Sequence, residues 1–153
     1  MRDLFLWLHI AIAIVAFGPT FTFPVWTTMA RKAGGPAIPY AIGTIRRLLE
    51  RVILPLAVVM PFTGVVLIYA GRFDLWSTPW LLVAIALYTV AFGIAAGLSL
   101  PNVRRMLSLF GPEMTDAQRA EVMARAQRQR IFGYTNSVLI LVIVFLMVAK
   151  PGG

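Results

Sequence analysis

The chain contains four long stretches with no Asp, Glu, Lys or Arg: residues 4–30, 52–71, 75–103 and 131–149. A bilayer's hydrocarbon core is about 30 Å thick, and about 20 apolar residues cross it as an α-helix. In lipid a spanning segment must pair every backbone N–H and C=O, so stretches of this kind are helices. Composition agrees. Of 153 residues, 59% are hydrophobic and 13% charged, against about 25% charged in soluble domains. These features exclude a water-soluble globule, a disordered chain and a disulfide scaffold. The expected fold is all-α: a polytopic, four-helix antiparallel transmembrane bundle forming one domain, 1–153. Its spans are about 4–26, 52–70, 79–100 and 131–149, joined by basic connectors at 27–51 and 101–130.

Local signals refine this reading. Pro19 and Pro24 predict a kink in span one, and Pro55 and Pro61 lie inside span two. Gly34-Gly35-Pro36 and Gly111-Pro112 mark turns. Thr115 and Gln118 fit a capping box. The absence of Pro from Asp116 to Ala149 then predicts one unbroken helix, whose first half projects from the membrane. Span two is expected to extend in the same way. Each half of the chain has a span, a basic connector with a Gly-Pro break, and a second span, as a duplicated helical hairpin would.

Charge sets the expected orientation. Arg31, Lys32, Arg46, Arg47, Arg51, Arg104, Arg105, Arg119, Arg125, Arg128 and Arg130 occupy the two long connectors, leaving Arg2, Arg72 and Lys150 for the other side. Basic short loops stay in the cytoplasm, so both termini and the Arg72 loop are expected outside. Tyr69, Phe73, Trp76 and Trp80 fall near the outer edge, and Trp26, Tyr40, Phe132 and Tyr134 near the inner one. Such belts of amphipathic rings mark membrane–water boundaries.

Few residues offer chemistry. There is no Cys and a single His, so thiol catalysis, Cys-ligated metals and a His-cluster metal site within one copy are excluded. His9 shares a helix face with Phe5, Leu6, Ile12, Ala13, Ala16 and Thr20. Ala13 and Ala16 are small and suit close helix packing. An ionisable group inside a span is a candidate site. His9 would serve a haem or a quinone, with Met147 or Tyr69 near it at the same depth, or it would hydrogen-bond a neighbouring helix. Thr20, Ser99, Thr135, Asn136 and Ser137 form a polar group near the inner edge, read as inter-helix glue or as a polar pocket. Gly93 and Gly97 allow tight helix contact, either within the bundle or against another subunit. Arg46, Arg47, Arg104, Arg105, Arg125 and Arg128 are placed to meet lipid headgroups or an acidic partner. Nucleic acid is not an expected partner, because topology accounts for the basic charge. No cofactor or metal follows from the residues themselves.

The order of features resembles a known family. It begins with Leu8-His9-Ile10 early in span one and a basic connector. Two spans around a short outer loop follow, then an Arg-rich connector and a last span with Asn136 near its start. This resembles a bacterial family of predicted integral membrane proteins of unknown function over nearly the whole chain. That family is distantly similar to four-helix membrane proteins of the copper-resistance D type and to the HemJ-type protoporphyrinogen oxidase, which also carry a His in an early helix. The resemblance implies a bacterial inner-membrane location, and its distant members imply haem at His9. The expected function is a small membrane subunit or scaffold, without catalysis of its own, packed in a homo-oligomer or larger complex. A haem- or quinone-binding redox protein and a small-solute carrier moving on its proline-bent spans are the alternatives.

Overall fold

The structure is a computed structural model that describes residues 1–151. It contains four helices long and apolar enough to cross a membrane: α1 (Arg2–Ala33), α2 (Ala37–Gly71), α3 (Pro79–Ser108) and α4 (Asp116–Ala149). No strand occurs among the described residues. The helices are 32, 35, 30 and 34 residues long. At about 1.5 Å per residue each reaches roughly 45–52 Å, well beyond a hydrocarbon core of about 30 Å.

All four helices therefore project, not α2 and α4 alone. The connectors expected at 27–51 and 101–130 are mostly helix, and within them the chain turns near 34–36 and 109–115. The first turn needs left-handed backbone, and Gly34 (φ 69°) and Gly35 (φ 50°) supply it. The capping box is present: Thr115 Oγ1 accepts from the Gln118 N–H at 3.2 Å, and the Gln118 side chain accepts from the Thr115 N–H at 2.9 Å. As the sequence predicts, α4 then runs without a break.

How α3 passes Pro101 explains most of the difference. Proline lacks an N–H and its ring clashes with the carbonyl four residues back. α3 widens to a π-helix over Ile94–Ser99, so that the Leu100 N–H reaches the Ala95 carbonyl, and the helix then continues through Pro101. α2 repeats the device over Leu49–Ile53, just before Pro55, with the Leu54 N–H on the Leu49 carbonyl. In α1 the expected break is a 3₁₀ segment over Gly18–Thr22, at Pro19. The two halves share the hairpin layout without sharing these devices, since α4, the counterpart of α2, has no π segment.

Each helix packs on its neighbour in the chain, and α4 closes the ring against the second half of α1. The main apolar cluster joins the two hairpins: Ile42, Ile45, Leu49 and Ile53 of α2 meet Leu100, Val103 and Met106 of α3. It lies toward the end that carries the 34–36 and 109–115 turns, called here the basic end. Elsewhere the helices meet through small residues such as Ala16, Ala57, Ala84 and Ala91. Only 11–22% of each apolar window is buried within the chain, so lipid must cover most of these side chains. At the opposite end Phe73 packs edge-on to Trp80 at 5.9 Å, and Lys150 Nζ lies 5.9 Å above the Phe73 ring. Tyr69 and Trp76 there, and Tyr40 and Tyr134 toward the basic end, are exposed, as rings at a membrane boundary are.

Candidate functional site

Polar groups inside the bundle occur at three levels, and each joins two helices. Nearest the termini, His9 Nδ1 lies 2.7 Å from Thr63 Oγ1, tying α1 to α2. The Thr63 hydroxyl itself donates to the Met60 carbonyl at 2.8 Å. With its one proton engaged there, Thr63 accepts from the His9 Nδ1–H. Gly64 lies against the His9 ring, where a Cβ would stand in ordinary contact, 3.6 Å from His9 Cε1.

The second level lies in mid-span. Pro61 leaves the Ala57 carbonyl of α2 without its usual helical donor. The Tyr88 hydroxyl of α3 donates to that carbonyl. The Tyr88 ring packs edge-on to Phe17 at 6.5 Å. Beside it is a cavity of ≈ 10 Å³ for a water-sized sphere, lined from all four helices by Phe17, Ala57, Tyr88, Ala95 and Asn136 among others. That is room for about one water. Asn136 Oδ1 faces burial without a hydrogen-bond partner among the described residues.

The third level binds α3 to α4 toward the basic end. Gln129 Nε2 donates to Ser99 Oγ at 2.5 Å, and Asn102 Nδ2 donates to Gln129 Oε1 at 3.1 Å and to the Arg125 carbonyl at 3.0 Å. Arg125 in turn donates to Asn102 Oδ1 at 3.4 Å and to Glu121 at 2.9 Å, and Arg105 approaches Glu121 at 3.4 Å. On the other flank Glu50 of α2 takes Arg104 of α3 at 2.7 Å and Arg46 at 3.0 Å. Both carboxylates lie outside the apolar stretches. Hydrogen bonds from Arg104 and then Arg46 hold Glu50 below the usual carboxylate range, and Arg125 does the same for Glu121.

The residues singled out from sequence are distributed unevenly over these levels. Ser99 is in the third, with Gln129 and Asn102 rather than with Asn136. Thr20 bonds back to the Phe17 carbonyl at 2.6 Å within its own helix. Thr135 is exposed, and neither it nor Ser137 has a side-chain hydrogen bond among the described residues. Ala16 is fully buried and Ala13 half-buried. Arg47 and Arg128 are exposed and carry no ion pair among the described residues. Tyr69 and Met147, at 79% and 37% exposure, share no hydrogen bond with His9. A haem needs a pocket of several hundred Å³. His9 instead lies buried in the α1–α2 seam, and the interior cavity neither reaches it nor holds more than about one water. The residues present do not fit a macrocycle there.

The family described as "Predicted integral membrane protein (DUF2269)" matches residues 3–151. The chain belongs to this family. The match and the four apolar helices together make it an integral membrane protein of the DUF2269 family. No curated protein and no solved structure matches the chain, so the distant likeness to the copper-resistance D and HemJ types is not among the findings.

In this DUF2269 protein the residues that sequence reasoning missed are Thr63, Tyr88, Asn102, Gln129, Glu50 and Glu121. Tyr88 had a usable signal, because an intramembrane Pro needs an outside donor for the carbonyl four residues back. Asn102 and Gln129 had none while their segments were read as connectors.

Proposed function

We propose that this protein is a small membrane subunit, without catalysis of its own, that packs side by side with another transmembrane chain through the outer face of α3 at Gly93 and Gly97. One observation carries the reading. Both glycines are exposed, and a Cβ added to either would meet nothing within 4 Å. α3 makes its contacts inside the bundle with other residues, chiefly Leu81, Ala84, Ala91 and Ala95. A glycine inside a helix costs about 1 kcal/mol relative to Ala, and two of them one turn apart offset that cost where a second helix comes close. The polar levels support a holding role as well, since His9, Tyr88 and Ser99 each have a partner on a neighbouring helix.

The test is the size of the purified protein in mild detergent, by light scattering and by native gels of solubilised membranes. The wild type is expected as an oligomer or with a co-purifying partner. A Gly93→Leu/Gly97→Leu variant is expected to lose that association while keeping its helical circular dichroism. A wild-type monomer that carries no partner, or an assembly indifferent to the double substitution, would overturn the reading.

We also infer that the two Gly-Pro turns face the cytoplasm of a bacterial inner membrane and that both termini lie outside. The support is the gathering of eleven of the 14 Lys and Arg residues at the basic end.

A further inference from the structure

At the basic end, a groove of ≈ 390 Å³ runs along the surface between α3 and α4. Its lining changes character along its length. Gly97 and Pro101 of α3 and Phe132 of α4 form the part nearer mid-span, whereas Arg105 of α3 and Arg125 and Arg128 of α4 form the part nearer the turns. Gly97 and Arg105 are eight residues apart on one face of α3, which is about 12 Å of helix. The groove therefore crosses the boundary where the apolar stretches 75–103 and 131–149 give way to charge.

Its basic part is built rather than incidental. Three guanidinium groups face one carboxylate: Glu121 takes Arg125 at 2.9 Å and Arg105 at 3.4 Å. Arg128 has no carboxylate within 4.0 Å among the described residues, so two positive charges remain uncompensated. Asn102, 6% exposed, fixes the backbone and the guanidinium of Arg125 through its amide and is itself held by Gln129. The Arg125 guanidinium is thus held from two sides, by Asn102 and by Glu121.

We propose that this groove binds one anionic phospholipid, with its phosphodiester at Arg105, Arg125 and Arg128 and an acyl chain along Gly97, Pro101 and Phe132. Charge and depth together select this occupant. Arginine forks match phosphate oxygens, and the glycine leaves a flat wall on which a methylene chain fits. A free phosphate would have no use for the apolar part, and an acidic peptide would have to desolvate against it. The inference goes beyond the assembly reading and shares Gly97 with it, since a helix packed there would cover that wall of the groove; the arginine substitutions that test it leave Gly97 in place, so the two readings fail separately.

Native mass spectrometry of the intact protein released from detergent tests it. Phosphatidylglycerol and phosphatidylcholine of matched chains are added separately, and inorganic phosphate is added as a third arm. The wild type is expected to retain one phosphatidylglycerol at collision energies that strip phosphatidylcholine. Arg105→Gln/Arg128→Gln is expected to weaken that retention about ten- to thirtyfold. Arg119→Gln/Arg130→Gln, which removes the same charge away from the groove, is expected to change it less than about twofold. Equal losses in the two doubles would reduce the effect to diffuse surface charge and overturn the proposal. So would equal retention of both lipids, or full displacement by inorganic phosphate, which would make the site one for a soluble anion. Should the groove double prove poorly folded by circular dichroism, Arg128→Gln alone decides, because Arg128 takes no part in the ion pairs of the fold.

Discussion

Pro61 and Tyr88 form the most informative pair of residues in the bundle. In hydrocarbon an unpaired carbonyl has no water to turn to, and Pro61 creates one at Ala57. Tyr88 reaches across from α3 to fill the gap. Tyr88→Phe keeps the ring and its edge contact with Phe17 but removes the donor, so it is expected to destabilise the protein by about 1–3 kcal/mol. Pro61→Ala restores the helical N–H, so in that background Tyr88→Phe should cost far less. Unfolding of all four proteins in detergent gives the cycle. Equal costs in both backgrounds would mean that the hydroxyl does not serve this carbonyl. His9 and Thr63 tie α1 to α2 one level away. Of these four residues His9 and Pro61 are prominent in the sequence, whereas Thr63 and Tyr88 are not, because an isolated ionisable group or an intramembrane proline is conspicuous and a satisfied hydroxyl is not.

Among the elements, the long helices were legible where the signals add and illegible where one rule hides another. The charge-free stretches gave all four helices, and Thr115 with Gln118 gave the start of α4. Pro101 reads as the start of a connector because proline tends to end or kink a helix, yet α3 continues through it, as α2 continues through Pro61. A π segment immediately before the proline removes the clash, and nothing in the residues Ile94–Ser99 announces it. The same misreading separated Asn102 and Gln129 from the polar level they complete. The two hairpins are joined at the basic end by the α2–α3 cluster and by Glu50 with Arg104. Arg104 and Arg46 hold the Glu50 carboxyl below its ordinary range. Because its folded pKa is depressed, its contribution is fully present above the ordinary carboxylate value of about 4 and is lost as the pH falls through the lower folded value. Glu50→Gln should therefore melt below the wild type at neutral pH, by a small margin typical of an exposed pair. The gap should close as the pH is lowered past that range. A gap that persists unchanged in acid would remove Glu50 from the joint.

Taken whole, the molecule is two helical hairpins joined at the basic end and again in mid-span through Tyr88 and Ala57, with little of its apolar surface buried within itself. Its remaining surface is divided among lipid, the α3 glycine face and the basic groove. Which side of the membrane carries the basic end decides where every one of these features lies. Because the chain has no Cys, single cysteines placed at exposed sites report this directly. Glu113→Cys stands in the α3–α4 turn and Ser77→Cys in the α2–α3 loop. With a membrane-impermeant maleimide on intact cells, Ser77→Cys is expected to label and Glu113→Cys to label only after the membrane is opened. Labelling of Glu113→Cys from outside intact cells, with Ser77→Cys protected, would contradict the account.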